Sequence, residues 1–532
     1  GGTTMQIDGD VSAITADAVF ASSFTDAATS GGITIGQGAG SRIEGATGGI
    51  HAEILGRSGA VSIATLGTVA AADPAGASAP LGGAIAVQSR ALNGDTVTVS
   101  AATVEASGID GINVERRNGN GAISVTANGP IRSGSFGPGT LRSGIVTEVT
   151  GNSNAAQTVN LVGTIGGLAD RAGENGVRMT QAGATNSGAM TLNITGAGSA
   201  YATGDALLLT QFGTGPLTVT GTGNGTIDSS TGAGLRASIE NGSSGQLSIA
   251  MTQTITGTVG IDATSAGTGP LIVNANGDVT GTTDEGIRAV NTRATVGAGR
   301  IEVNTAAGTT VTGATDGIFI DAALTTGGVR MTVAGDVEGQ GSDGIFVTSN
   351  TSAATNQGIT ITQDAGSTVT GVTNGLHAEV LGRSGAINVT TNGTVAAFDT
   401  TGFNDPYGGA ISLRSDAIDG SKVTLTTTTI EASNLDGINI LRQFGNGPVT
   451  VSATGSIGSG AAGPDSLRNG IVVEVSGDSN ASQTLNLSGS VGTAGDRAQV
   501  NGVRMVQQGT LNGGAITVNA TGTANVFATG NA

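Results

Sequence analysis

The two histidines of the chain each stand two residues before a glutamate, a spacing that could hold a metal ion. His51 precedes Glu53, and His377 precedes Glu379 in a second segment of closely similar sequence. Residues two apart on a β-strand point to the same side of a sheet, so both side chains of a pair can face one divalent cation. The aliphatic residues that alternate with them occupy the inner side of the strand. We therefore expect a solvent-facing strand surface here, and no metal.

Single carboxylates open many repeats of the chain, and pairs of carboxylates can cleave glycosidic bonds. These acids are Asp17, Asp110, Asp205, Asp316, Asp343 and Asp436. A glycan-cleaving site would cluster them with basic residues and would use Trp or Tyr as platforms for sugars, but Trp is absent and Tyr occurs twice. No Walker loop, GxSxG elbow or HExxH motif occurs either. We expect no catalytic site, and we expect the acids to shape turns at structural corners.

One loop concentrates aromatic residues and is the candidate contact site for a partner. Residues 397–409 read AFDTTGFNDPYGG, whereas the corresponding residues 71–83 read AADPAGASAPLGG. The residues of interest are Phe398, Asp399, Phe403, Asp405 and Tyr407. Exposed aromatic side chains are favoured anchors of interfaces. Two interpretations stay open: the loop contacts a neighbouring molecule, or it folds back onto its own chain.

These side chains must be positioned by a short repeating element, which is clearest in residues 316–342. The stretch reads DGIFIDAALTTGGVRMTVAGDVEGQGS and contains runs in which aliphatic and polar residues alternate. Such alternation predicts strands with one buried face, and the glycine-rich stretches between the runs predict corners. The expected inward residues are Ile318, Ile320, Ala322, Val329, Met331, Val333 and Val337.

The opening phrase of this element recurs along the whole chain at spacings of 26 to 35 residues. A coil of about 30 residues cannot bury its apolar face alone, but stacked coils bury one continuous column. The fold class that we predict is all-β, a right-handed parallel β-helix (β-solenoid) with about 30 residues and three short strands per coil. Asn and Asp at the coil starts are expected to form a ladder along one corner.

The sequence also contains a longer repeat, which spans several coils. The segment from Gly48 returns at Asn374, an offset of 326 residues, and residues 110–150 match 436–476 at 23 of 41 positions. We therefore predict a first unit of 11 coils at 1–326 and a partial second copy at 327–532. No linker separates them in the sequence, so we expect one continuous solenoid.

Composition restricts the function further. The 532 residues include 94 glycines and 2% aromatics, and a flexible linker is an alternative that the sustained alternation disfavours. A net charge of −18 argues against a nucleic-acid partner, and no apolar run is long enough for a transmembrane segment.

We expect no cofactor: an acidic surface attracts divalent cations, but no calcium-binding motif supports bound calcium. Cysteine is absent, which excludes disulfides.

Coils of the form DGIxV…GxxxVTxxGxVxG, rich in Gly, Thr and Asn and free of Cys, resemble the passenger regions of Gram-negative autotransporter-type surface proteins. The resemblance spans the chain, but it is one of pattern and involves no catalytic motif. It implies a right-handed β-helix, export to the bacterial cell surface and an adhesive or structural role. Because the chain opens without a signal peptide and stops within the repeated phrase, we expect a piece of a longer exported protein.

Three hypotheses for the function follow. The first is a non-enzymatic structural protein that forms a rigid extracellular stalk or filament and whose partners are copies of itself or neighbouring filaments. The second is an adhesin whose side loops bind a host, a cell, a surface glycan or a protein. The third and most distant is a polysaccharide lyase or hydrolase.

Overall fold

The computed structural model describes residues 1–73, 82–134, 140–151, 153–240, 243–399, 408–459, 467–477, 479–509 and 513–532. Every regular element in these ranges is a β-strand. They contain no helix, and so none long and apolar enough to cross a lipid bilayer.

The chain divides into two compact units, Gly1–Gly267 and Thr268–Ala532. The strands of the first unit are β1 (Thr3–Ile7), β2 (Val11–Ala13), β3 (Val19–Ser23), β4 (Ile33–Gln37), β5 (Arg42–Gly45), β6 (Ile50–Ile54), β7 (Val61–Ala72), β8 (Gly83–Ser89), β9 (Val97–Ser107), β10 (Asp110–Arg116), β11 (Ile123–Ala127), β12 (Ile131–Arg132), β13 (Ile145–Val149), β14 (Gln157–Leu161), β15 (Thr164–Ile165), β16 (Val177–Gln181), β17 (Met190–Gly196), β18 (Ser199–Ala202), β19 (Leu207–Gln211), β20 (Leu217–Gly223), β21 (Thr226–Ser229), β22 (Leu235–Ile239), β23 (Leu247–Met251), β24 (Thr254–Gly257) and β25 (Ile261–Ser265).

The strands of the second unit are β26 (Leu271–Ala275), β27 (Val279–Gly281), β28 (Ile287–Asn291), β29 (Ile301–Thr305), β30 (Thr310–Gly313), β31 (Ile318–Asp321), β32 (Val329–Val333), β33 (Asp336–Gly339), β34 (Ile345–Ser349), β35 (Ile359–Gln363), β36 (Thr368–Gly371), β37 (Asn374–Val380), β38 (Ile387–Phe398), β39 (Gly409–Ser415), β40 (Val423–Ser433), β41 (Asp436–Arg442), β42 (Val449–Ala453), β43 (Ser456–Gly458), β44 (Asn469–Val475), β45 (Gln483–Leu487), β46 (Ser490–Val491), β47 (Asn501–Gln507), β48 (Ile516–Ala520) and β49 (Asn525–Val526).

In each unit the strands stack into a right-handed parallel β-solenoid whose turns are roughly 30 residues apart, as the repeated phrase predicts, and the two units together contain about 16 turns. One strand of each coil, which we term the opening strand, begins at or just after that phrase. In the first unit the opening strands are β3, β6, β8, β10, β13, β16, β19, β22 and β25. In the second unit they are β28, β31, β34, β37, β39, β41, β44 and β47. Each pairs in parallel with the opening strand of the next coil in its unit.

The core is the column of inward side chains that the alternation predicts. All the inward residues named above between Ile318 and Val337 are buried, whereas Arg330 and Thr332 between them are exposed. Ile318 aligns with Ile287 on one neighbouring strand and with Ile345 on the other. Full burial of an aliphatic side chain contributes about 1.5–3 kcal/mol. The stack is therefore stabilised by contacts between adjacent coils.

Four coils depart from the expected three strands. In each of them two strands merge into one long strand: β7 and β38 have 12 residues, and β9 and β40 have 11. The pairing of β7 with β9 shifts register between Thr65 and Thr68, and that of β38 with β40 shifts between Thr391 and Thr394. An irregularity of this kind bends a strand without ending it. A glycine-rich corner is therefore not the only way this chain turns.

The polar residues at the coil starts form the predicted corner ladder. The side-chain oxygen of one such residue accepts the backbone N–H of the equivalent residue one coil later, as Asp316 does from Asp343 at 2.8 Å. Asp205 accepts from Ala233 at 2.7 Å. Buried N–H groups need such partners, so these acids and amides have a structural role.

The boundary predicted between the sequence copies, at residue 326, lies inside the second unit. On either side of it, β29 and β32 pair in register from Ile301↔Val329 to Thr305↔Val333. The ladder is therefore continuous across this position. The assignment of 1–326 and 327–532 as two copies remains a prediction from the sequence.

Candidate functional site

The candidate residues His377 and Glu379 lie on the outer side of an opening strand of the second unit, β37. Successive residues of a strand point to opposite sides, so Ile438 and Ile440 of β41 are buried in the core and Asn439 and Leu441 face outward. Stacking brings the outward residues of successive coils into rows about 4.8 Å apart. Charged and aromatic side chains about 30 positions apart in the sequence thereby become neighbours.

His377 lies between two carboxylates and not on an open surface. Its Nδ1 is 3.2 Å from Asp343 Oδ2, its Nε2 is 3.1 Å from Glu379 Oε1, and 16% of the side chain is exposed. Burial lowers the pKa of His377, but the hydrogen bonds to Asp343 and Glu379 outweigh it and raise the pKa to about 9. The hydrogen bond from His377 in turn lowers the pKa of Glu379. At neutral pH the ring is therefore an imidazolium whose two N–H groups are both engaged.

The first unit contains the same arrangement. His51 Nδ1 is 3.0 Å from Asp17 Oδ2, and His51 Nε2 is 3.1 Å from Glu53 Oε1 without the angle of a hydrogen bond. Both histidines project outward as predicted. They are only partly exposed, at 20% and 16% of the side chain, because a carboxylate from the preceding coil lies against each ring. No group of three or more His, Cys, Asp or Glu side chains that could hold a metal ion occurs in the described part of the chain.

Aromatic rings extend the row that contains His377. The rings of Phe319 and Phe346 stack with centroids 5.4 Å apart and 15° between their planes. His377 meets Phe346 edge to face at 5.0 Å. Because the stacked rings face each other along the solenoid, those faces are not available as platforms for a ligand. This row stabilises the contact between coils.

A cavity of about 320 Å³ lies further along the same side of the second unit. It is lined by Asp436, Asn439, Leu441, Gln443, Arg468, Asn469, Val472, Glu474, Ser476 and Arg504. A neighbouring cavity of about 110 Å³ shares Asn439 and Leu441 with it. The outer side of the opening strands is therefore a polar groove over several coils.

The acids of this groove are occupied by their own chain. Arg468 donates to both oxygens of Asp436, Nε to Oδ1 at 2.9 Å and Nη2 to Oδ2 at 2.8 Å. Arg504 Nη1 lies 3.4 Å from Glu474 Oε2. A carboxylate that acts as a general acid or base must lie within hydrogen-bond reach of the substrate's proton. The arrangement of Asp436 is instead that of a buried structural ion pair.

The groove is also where the two sequence copies diverge. Four outward positions of the first copy change in the second: Gln88 to Arg414, Arg90 to Asp416, Glu115 to Leu441 and Arg117 to Gln443. In the first copy Arg117 Nε donates to Glu115 Oε1 at 2.6 Å. The backbone register around these positions is the same, since β8 pairs with β10 as β39 pairs with β41. Different surface chemistry is thus displayed on one scaffold.

Of the loop residues predicted to contact a partner, two fall within the described part of the chain. Phe398 is not in a loop: it is the last residue of β38, half-buried, and pairs with Ser433 of β40. Asp399 is buried, and its backbone carbonyl accepts the Asn434 amide at 3.4 Å. Phe403, Asp405 and Tyr407 lie outside the described residues. The contact role of the five therefore remains a prediction.

Two buried arginines were not recognised from the sequence. Arg116 is fully buried and donates to the carbonyl oxygens of Asp95 at 2.8 Å and Ala91 at 3.2 Å. Arg442, its counterpart in the second copy, donates to the carbonyl oxygen of Ser421 at 2.7 Å. Burial lowers the pKa of both guanidinium groups. The sequence did contain a signal for their burial: in both copies the arginine continues the alternating series of inward-facing residues of its strand.

Comparison of the chain with protein-family models, with curated proteins and with solved structures finds no match.

Proposed function

We propose that this chain belongs to a non-enzymatic structural repeat protein of a Gram-negative cell surface, where it forms a rigid stalk or filament. The pattern resemblance to autotransporter passengers supports the location. We propose that its binding partners are further copies of the same protein or neighbouring filaments.

One observation carries the proposal: the groups that join coil to coil recur in both sequence copies. The Asp110–Arg142 pair returns as Asp436–Arg468, and the buried Arg116 returns as Arg442. Nearest-neighbour contacts of this kind let units be added without a new core. The recurrence of these contacts in both copies favours a protein that is lengthened by repeating one unit.

The charge distribution also supports a structural role. The described acids of the groove accept hydrogen bonds or face arginines of the same chain. A net charge of −18 keeps long particles soluble and limits non-specific association. We therefore propose no catalytic activity.

Immunogold electron microscopy of native cells tests the proposal. Antibodies raised against the 532-residue chain are expected to label thin fibres on intact cells, and protease added outside should remove the label. Labelling confined to permeabilised cells would contradict a surface filament.

The divergence of the groove between copies favours a second candidate function, an adhesin. Glu115 and Arg117 of the first copy become Leu441 and Gln443 without a change of register. A scaffold that keeps its backbone and alters its outward side chains is suited to recognition.

A second segment, residues 397–409, is also a candidate contact of an adhesin. Cell-adhesion assays that compare the wild type with the variant in which Phe398, Phe403 and Tyr407 are all replaced by Ser test its contribution. Equal adhesion by a folded variant would exclude that segment.

A further inference from the structure

We propose that the 320 Å³ cavity over β41 and β44 binds a neutral saccharide unit. The proposal rests on the second candidate function, since it names the ligand class that an adhesin would recognise through this groove. Its test uses purified protein, so that its failure would leave the surface-filament proposal unaffected.

The cavity combines two aliphatic side chains with a mainly polar lining. Leu441 and Val472 both line it and are 7% and 6% exposed. Glu474, Ser476 and the Gln443 amide supply acceptors and donors around them. A pyranose presents C–H groups on one face and hydroxyls, each both donor and acceptor, at its rim. The two kinds of surface match.

The charges of the lining balance, which favours a neutral ligand. Asp436 pairs with Arg468, and Glu474 faces Arg504 at 3.4 Å. An anionic ligand would meet two carboxylates, and a cationic ligand would meet two guanidinium groups. A neutral ligand avoids leaving either charge without its partner.

The first copy provides a natural comparison. There Glu115 and Arg117 stand in place of Leu441 and Gln443 and form an ion pair at 2.6 Å, and Gln88 Nε2 donates to Glu115 at 3.0 Å. At the position of Leu441 the first copy thus has a charged side chain, Glu115, which already accepts hydrogen bonds from Arg117 and Gln88. The first copy therefore lacks the surface on which a sugar ring would lie.

The size of the cavity limits the ligand and its affinity. A volume of about 320 Å³ is near the lower end of the range for small-molecule sites, enough for one or two sugar rings. With no Trp in the chain, hydrogen bonds must supply most of the interaction, so we expect a dissociation constant of roughly 1–10 mM.

Saturation-transfer difference NMR on the 532-residue chain tests the assignment. The probes are glucose, galactose, mannose, N-acetylglucosamine and maltose, with glucuronate and glucosamine as charged comparisons. We expect at least one neutral probe to bind, and we expect the double variant Leu441→Glu, Gln443→Arg to bind it at least ~10-fold more weakly. The converse variant, Glu115→Leu with Arg117→Gln, should add a second site of similar affinity.

Each variant introduces residues that the other copy holds at the same register, so both should fold, which circular dichroism will verify. The assignment is overturned if no neutral probe binds at about 50 mM, a concentration above the whole expected range of the dissociation constant. It is equally overturned if only the charged probes bind, or if the Leu441→Glu, Gln443→Arg variant binds like the wild type.

Discussion

Arg142 reaches back one coil to Asp110 and donates from Nε to Oδ1 at 2.8 Å and from Nη2 to Oδ2. The same carboxylate accepts the backbone N–H of Ser143 at 3.2 Å, and its side chain is 0% exposed. The pair thus joins two coils at their corner by a buried ion pair and a backbone hydrogen bond. It has no free oxygen for catalysis, which explains why a carboxylate at a coil start is structural here.

Replacing Asp110 by Ala should destabilise the first unit by about 2–4 kcal/mol, because Arg142 and the Ser143 amide lose a buried acceptor. A urea titration followed by circular dichroism measures the change in the free energy of unfolding. Asp364→Ala is the matched control, since Asp364 is exposed and should change stability by less than about 0.5 kcal/mol. Equal effects of the two substitutions would show that the corner pair does not stabilise the stack.

An inward charge should damage the core locally. Ile320→Asp places a carboxylate in the aliphatic column, where Ile320 is 0% exposed, and should cost about 3–5 kcal/mol. Thr332→Asp changes an exposed residue of the adjacent strand β32 and should be nearly neutral. Hydrogen exchange should report lost protection in β28, β31 and β34 but not in β45, because contacts are between nearest neighbours. Uniform loss of protection throughout the second unit would contradict this account.

The stability that His377 contributes should fall at high pH. The carboxylates of Asp343 and Glu379 raise its pKa to about 9 in the folded chain, above a value of about 6.5 when unfolded. A raised folded-state pKa gives stability that is fully present below pH ~6.5 and is lost as the pH rises through ~9. The His377→Gln variant should therefore be less stable than the wild type by up to about 3 kcal/mol at pH 6, and by much less at pH 10. A stability difference that does not vary with pH, or an imidazole that titrates near pH 6.5 by NMR, would refute the ion-pair assignment.

Glu285 should make the stability of the chain depend on pH, and its neutral isostere Gln should remove that dependence. Burial, and then the neighbouring charge of Asp284, raise the pKa of Glu285 to about 7. The pKa of Glu285 is thus higher in the folded chain than its value of about 4.3 in the unfolded chain. The stability that this side chain contributes is therefore fully present below pH ~4.3 and is lost as the pH rises through about 7. Because the side chain is partly exposed, we expect Glu285→Gln to be more stable than the wild type at pH 8 by only about 1–2 kcal/mol. No gain at pH 8 relative to pH 4 would show that the carboxylate is solvated.

The fold was accessible from the sequence because one local rule is repeated. Alternation around Ile318 and Ile320 identifies the buried face, and only a stack of coils can bury it. The environment of His377 was not accessible, because its two carboxylates come partly from the preceding coil and their side-chain directions depend on register. Arg116 was missed for a similar reason, since an inward arginine is tolerated only where carbonyl oxygens of another coil converge on it.

The most direct test of the coil stack is a methyl NOE measurement on Ile-, Leu- and Val-labelled protein. In the structure Ile318 is aligned with Ile287 in one neighbouring coil and with Ile345 in the other, on strands about 4.8 Å apart. The account predicts NOEs from the Ile318 methyl groups to those of both residues, which lie about 30 positions away in the sequence. Assigned spectra in which Ile318 shows neither contact would contradict the solenoid.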